Sequence, residues 1–209
     1  MCIGSEMNFD AAFKLLESNN YVVFSDTELG VLFPNEKKEN ITVYLSRWVK
    51  SGKLMRIRRG VYELIYPRRH SVPDLFIANK LYSPSYISME TALSRYGLIP
   101  EVAMECISIT VKTSRMFKNE YGSFVYHSVQ PEAFTGYRTE NNNGFEVLIA
   151  EPEKAVVDYL YFKKRKGIKI DSLTDRMDIK AVKSLNRPKM NLYADRYKMS
   201  LKELFNVKP

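Results

Sequence analysis

Ile41-Thr42-Val43-Tyr44-Leu45-Ser46-Arg47-Trp48-Val49-Lys50-Ser51-Gly52-Lys53-Leu54-Met55-Arg56-Ile57-Arg58-Arg59-Gly60-Val61-Tyr62 changes period halfway along. Ile41, Tyr44, Leu45, Trp48 and Val49 recur at helical spacing, so one apolar stripe predicts a helix over residues 36–51. Gly52 suits the position just past its end. From residue 54 the period falls to two: Met55 and Ile57 alternate with Arg56 and Arg58. Arg59-Gly60 can turn the chain, and Val61 onward returns as a second strand.

Working toward the N-terminus, Phe9, Ala12, Phe13 and Leu16 predict a first helix that ends at Asn19-Asn20. Residues 21–24 form a short extended piece. Ser25-Asp26 offers an N-cap for a second helix that Pro34-Asn35 closes. Three helices followed by a tight basic hairpin is the order of a winged helix-turn-helix.

Placing Ile41 at zero and advancing about 100° per residue puts Glu39, Val43, Ser46, Arg47 and Lys50 opposite the core stripe. This face has the composition of a DNA-reading helix. Arg grips guanine bidentately, Ser bonds base edges or phosphate, and Val meets a thymine methyl. Lys50 and Lys53, near the helix end, suit phosphates; Arg56, Arg58 and Arg59 suit the adjacent backbone or minor groove. A merely polar helix face beside a polar hairpin would account for any one of these residues. Helix order, tight wing and clustered charge together favour DNA binding.

Farther on, Pro67-Arg68-Arg69-His70 reads as a linker, dividing a winged-helix domain (1–69) from a mixed α/β domain (70–209). The fold class expected is α+β, with a helical basic tail. Residues 73–82 and 89–96 are helical. Residues 106–111, 122–129 and 145–149 are β-rich. Residues 151–162 form a helix with Pro152 in its first turn and Ala155, Val156, Tyr159 and Leu160 on its apolar face. The tail from residue 163 is mostly helical, broken at Pro188, and the cluster Tyr159, Tyr161 and Phe162 reads as packing.

The 209 residues carry a net charge of +8, distributed in blocks. Residues 37–69 hold ten Lys or Arg against two acids, and residues 163–209 hold fourteen against five. The two segments between and before them are net acidic. Such blocks suit a polyanion, although a solvated face fits the second block equally. No apolar run approaches the roughly 20 residues that span a bilayer, and residues 1–10 do not read as a signal peptide. Cys2 and Cys106 sit in no paired motif, so free thiols in a reducing cytoplasm are expected.

Glu151-Pro152-Glu153-Lys154 with Asp158 raises a nuclease reading. That chemistry needs an acid two positions before the Lys, and Pro152 stands there. Neither His70 nor His127 has a ligand at metal spacing. Ser83-Pro84-Ser85 and Ser88 lack a nearby base and suit helix capping. No catalytic residue, metal or cofactor is expected.

Residues 45–62 resemble the AbiEi antitoxin family. So do Ile77-Ala78-Asn79-Lys80-Leu81-Tyr82-Ser83-Pro84-Ser85-Tyr86-Ile87-Ser88, with Glu90-Thr91-Ala92-Leu93 and Tyr96-Gly97-Leu98-Ile99-Pro100. Ile149-Ala150-Glu151-Pro152-Glu153-Lys154-Ala155, followed by Asp158, is a third match in order. The resemblance implies the antitoxin of a type IV toxin–antitoxin pair of the AbiE phage-defence class. Its winged helix would repress its own operon through inverted repeats in double-stranded DNA. Its second domain would counteract a nucleotidyltransferase-like toxin without a stable complex. A stand-alone transcription factor with a sensing C-terminal domain, or a nuclease targeted by the winged helix, are the alternatives.

Overall fold

The computed structural model describes residues 7–67, 71–101, 103–169 and 177–206. Residues 68–70 of the expected linker, Cys2, and residues 170–176 and 207–209 of the tail lie outside them. The chain divides into two compact units, Met1–Val72 and Pro73–Pro209.

In the first unit, α1 (Phe9–Ser18) starts where the Asn8 side chain accepts from the Ala11 N–H. Strand β1 (Val23–Ser25) leads directly into α2 (Asp26–Leu32). Ser25 and Glu28 form a reciprocal capping box there: the Ser25 hydroxyl accepts from the Glu28 N–H and the Glu28 carboxylate from the Ser25 N–H. Helix α3 (Lys38–Lys50) begins two residues later than its apolar stripe suggests, because the Glu36 N–H donates to the Phe33 carbonyl and closes a turn first. It ends in a Schellman turn. The Gly52 N–H donates to Val49, the Lys53 N–H to Trp48, and Gly52 takes φ +70°.

Strands β2 (Leu54–Arg58) and β3 (Val61–Leu64) form the hairpin, and β1 joins to give the order β1-β3-β2. The register shifts between Arg56 and Arg58, a local bulge that leaves Ile57 buried. Phe9, Leu16, Phe24, Leu29, Ile41, Leu45, Trp48 and Leu54 fill the core. Phe9 meets Trp48 edge-on with ring centroids 5.4 Å apart.

The second unit is a six-stranded mixed sheet in the order β6-β7-β5-β4-β9-β8. Its strands are β4 (Ser85–Ile87), β5 (Cys106–Thr110), β6 (Arg115–Asn119), β7 (Gly122–Ser128), β8 (Tyr137–Asn142) and β9 (Phe145–Ala150). The pairs β4–β9 and β5–β7 are parallel and the rest antiparallel. The short central strand β4 is buried along its whole length because helices cover both faces. On one face lies α4 (Asp74–Leu81): the Tyr126 hydroxyl donates to the Ala78 carbonyl, and the Asn79 amide bonds both Ser85 and Leu148 backbone. On the other lies α6 (Pro152–Arg165), flanked by α5 (Met89–Arg95) and α8 (Arg187–Arg196). Helices α7 (Ile179–Ser184) and α9 (Lys202–Asn206) complete the described residues.

Several sequence expectations give way to the fold. The helical run of the tail is interrupted at residues 185–186, as expected near Pro188, but Pro188 itself lies just past the break in the first turn of α8, where its missing N–H costs nothing. Ser88 precedes α5 but makes no capping bond. Its hydroxyl turns inward to Asp158, and Ser85 sits in β4. Helix α6 extends to Arg165, so Lys163, Lys164 and Arg165 lie in its last turn, against the carbonyl end of the helix dipole. Tyr159 and Phe162 are core residues, as expected.

Candidate nucleic-acid interface

The HTH pair is α2 followed by α3, and the α3 side chains divide as the helical period requires. Ile41, Leu45 and Trp48 are buried, while Glu39, Val43, Ser46, Arg47 and Lys50 are exposed. Val43 is 48% exposed, so the core of the unit makes little use of this apolar side chain. The wing presents Arg56 and Arg59 to solvent, with Arg58 half-buried at the end of β2.

One clamp sets the position of this wing. The Asp26 N–H donates to the Gly60 carbonyl at 3.1 Å, tying the hairpin tip to the first residue of α2. Gly60 takes φ +78°, and a Cβ there would lie 3.3 Å from an Asp26 carboxylate oxygen, so both conformation and space favour glycine. Tyr62, beside the clamp, is held above the ordinary tyrosine range by burial and then by the Asp26 charge, against the pull of Arg56.

Lys53 sits differently from the other cations. It is half-buried in the turn after α3, and its ammonium lies 4.3 Å from the Phe9 ring centroid and 5.9 Å from that of Tyr66. The α3 and wing cations Arg47, Lys50, Arg56 and Arg59 are exposed, whereas the Lys53 charge is drawn against aromatic faces.

The second unit contains a polar cluster that the sequence did not reveal. Lys154 and Asp158, one helical turn apart on α6, are fully buried and ion-paired. Asp158 also accepts from Tyr86 at 3.1 Å, Ser88 at 2.7 Å and Tyr197 at 2.5 Å. Lys154 donates to Tyr197 as well, at 2.9 Å, and its ammonium lies 4.4 Å from that ring. Burial pulls the Lys154 ammonium below the ordinary lysine range, opposed by the attraction and hydrogen bond of Asp158. Burial, then the Asp158 charge, pushes the Tyr86 and Tyr197 hydroxyls well upward. The cluster joins β4, α6 and the end of α8 in the interior, so its acid and base are engaged with each other. The available signal was the i, i+4 Lys–Asp spacing around the apolar run Ala155-Val156-Val157.

His127 is half-buried and stacks on Phe162 with centroids 4.8 Å apart. Burial, then the charge of Lys166, lowers its pKa. Cys106 is a free, buried thiol that burial pushes upward. Among the described residues, no group of three or more His, Cys, Asp or Glu is placed to hold a metal ion, and no helix is long and apolar enough to cross a membrane.

Three helices, a short strand and a two-stranded basic wing beside an exposed polar face of α3 define the first unit as a winged helix-turn-helix, a class of DNA-binding domain. Residues 13–65, within that unit, match the family described as "Transcriptional regulator, AbiEi antitoxin". The match lies wholly within the winged helix-turn-helix unit, so in this region the chain is similar to transcriptional regulators of the AbiEi antitoxin kind. No curated protein matches the chain.

Proposed function

We propose that this protein is a DNA-binding antitoxin that represses its own operon. It binds inverted repeats in double-stranded DNA through the exposed face of α3 and through the wing. Arg47, Ser46 and Val43 read base edges in the major groove. Lys50, Lys53, Arg56, Arg58 and Arg59 hold phosphates or enter the minor groove. The domain beyond the linker counteracts a nucleotidyltransferase-like toxin without a stable complex. The observation that carries this reading is the exposed set Val43, Ser46, Arg47 and Lys50 beside exposed Arg56 and Arg59, on the unit that matches the AbiEi regulators.

The test is made on the full chain. Binding of the upstream DNA is measured by gel shift, and protection by co-expression with the neighbouring gene product, scored as growth. Arg47→Ala is expected to relax base preference at one position of each half-site by about 1–3 kcal/mol, while protection persists. A uniform loss over all sequences makes Arg47 a phosphate contact instead. Absence of protection by the unaltered protein overturns the antitoxin reading and leaves a plain transcription factor.

A further inference from the structure

Where α8 ends and α9 begins, the second unit has an open cleft of about 460 Å³. Arg187, Lys198 and Lys202 line it, with Asp195 the one carboxylate among the described residues, and all four side chains are exposed. Among the described residues none of the three cations is ion-paired. This separates them from Lys154, Lys163 and Lys189, whose charges are met by Asp158, Glu90 and Glu151. The cleft is within the size range of ligand sites, about 300–1,000 Å³.

Two features build the cations into place. The Arg187 guanidinium lies over the Phe205 ring, 4.2 Å from its centroid, and both residues line the cleft. Lys198 follows α8 in a left-handed conformation, φ +53°, where the Schellman turn usually has glycine. A lysine there sets an ammonium at the rim at some backbone cost. Its neighbour Tyr197 is fixed to the interior through Asp158 and stacks on Tyr161 at 4.0 Å, so the rim stands on the core.

We propose that this cleft binds single-stranded nucleic acid. Phosphates lie on Lys198 and Lys202, and an unpaired base stacks on the guanidinium of Arg187. The shape decides for a single strand over a duplex. A duplex is entered by a projecting element such as α3, whereas here the charges line a concavity backed by an aromatic ring, the arrangement that suits an unpaired strand. The site does not depend on operator binding by the wing.

The test uses the full-length protein and fluorescein-labelled 15-mers of single-stranded RNA and single-stranded DNA of the same sequence, with a duplex of that sequence as control. Affinity is read by anisotropy over a salt series. The Arg187→Ala/Lys198→Ala/Lys202→Ala variant is expected to lose tenfold or more on single strands. Its log–log salt slope should flatten by about 0.7 per lost contact. Its duplex affinity stays within twofold. The exposed single change Lys202→Glu, which leaves the packed residues alone, should lose at least threefold on single strands. The Arg56→Ala/Arg59→Ala wing variant should keep single-strand affinity within twofold while binding the duplex more weakly. The RNA and DNA arms tell which strand is preferred. The proposal is overturned if neither single strand binds, if the cleft variants bind them as the unaltered protein does, or if the cleft variants lose duplex as strongly as single strand.

Discussion

Arg59 at the wing tip and Lys154 in the second unit carry the same charge in opposite surroundings. Arg59 is exposed on a tight turn; Lys154 is fully buried and paired with Asp158, with Tyr86, Ser88 and Tyr197 closing around the pair. In water, an exposed cation contributes little to stability, and its value appears only when a polyanion replaces its counterions. In the interior, a cation must be paired on folding, so it specifies how β4, α6 and α8 fit together. Composition alone cannot separate the two roles; position on the fold does.

The largest expected effect tests the buried side. Lys154→Met leaves Asp158 buried without its counter-charge and should lower the free energy of unfolding by about 3–5 kcal/mol in urea titration. The double change Lys154→Met/Asp158→Leu should recover most of that loss. A Lys154→Met variant as stable as the unaltered protein would erase the distinction between the two cations. The exposed side behaves inversely. Arg56→Ala/Arg59→Ala should leave stability within about 0.5 kcal/mol. The same variant should flatten the salt dependence of duplex binding by about 0.9 per lost phosphate contact. An unchanged slope removes the wing from the interface.

Glu151 is intermediate between the two. Partial burial pushes its carboxyl upward, but hydrogen bonds from Lys189 and Tyr193, with the Lys189 and Arg138 charges, hold it below the usual glutamate range. Its depressed folded pKa contributes stability that is complete above the unfolded value of about 4.3. That stability is lost as pH falls through the folded value. Glu151→Gln should therefore shrink the loss of stability between neutral pH and pH 3, the smallest of these effects, read from denaturant midpoints at each pH. An acid limb identical to that of the unaltered protein would assign the sensitivity to other carboxylates, Glu140 foremost.

What the sequence made legible followed burial. The α3 stripe, the Ser25 cap, Gly52 and the alternating wing all answer to one core face, and periodicity reports such faces directly. Strands β6 and β8 escaped because they are the edge strands of the sheet. Arg115-Met116-Phe117-Lys118-Asn119 and Tyr137-Arg138-Thr139-Glu140-Asn141-Asn142 are largely exposed and polar, as edges that resist further pairing usually are. Strand β4 escaped because three residues are too few to show a period. The exposed face of α3 was readable as an angular sector. The cleft at Arg187, Lys198 and Lys202 was not, since it depends on the chain turning back after α8 so that the Phe205 ring of α9 lies against Arg187.

The hydrogen bond from Asp26 to Gly60 has a consequence for association. A hairpin free at its tip would surrender conformational entropy each time it settled on a partner, and part of its contact energy would go into ordering. Tied to α2, the wing is already in the shape it presents, so less ordering remains when the two molecules meet. If the wing is the binding element proposed above, the clamp acts on how tightly the protein holds its partner by lowering the ordering that binding requires.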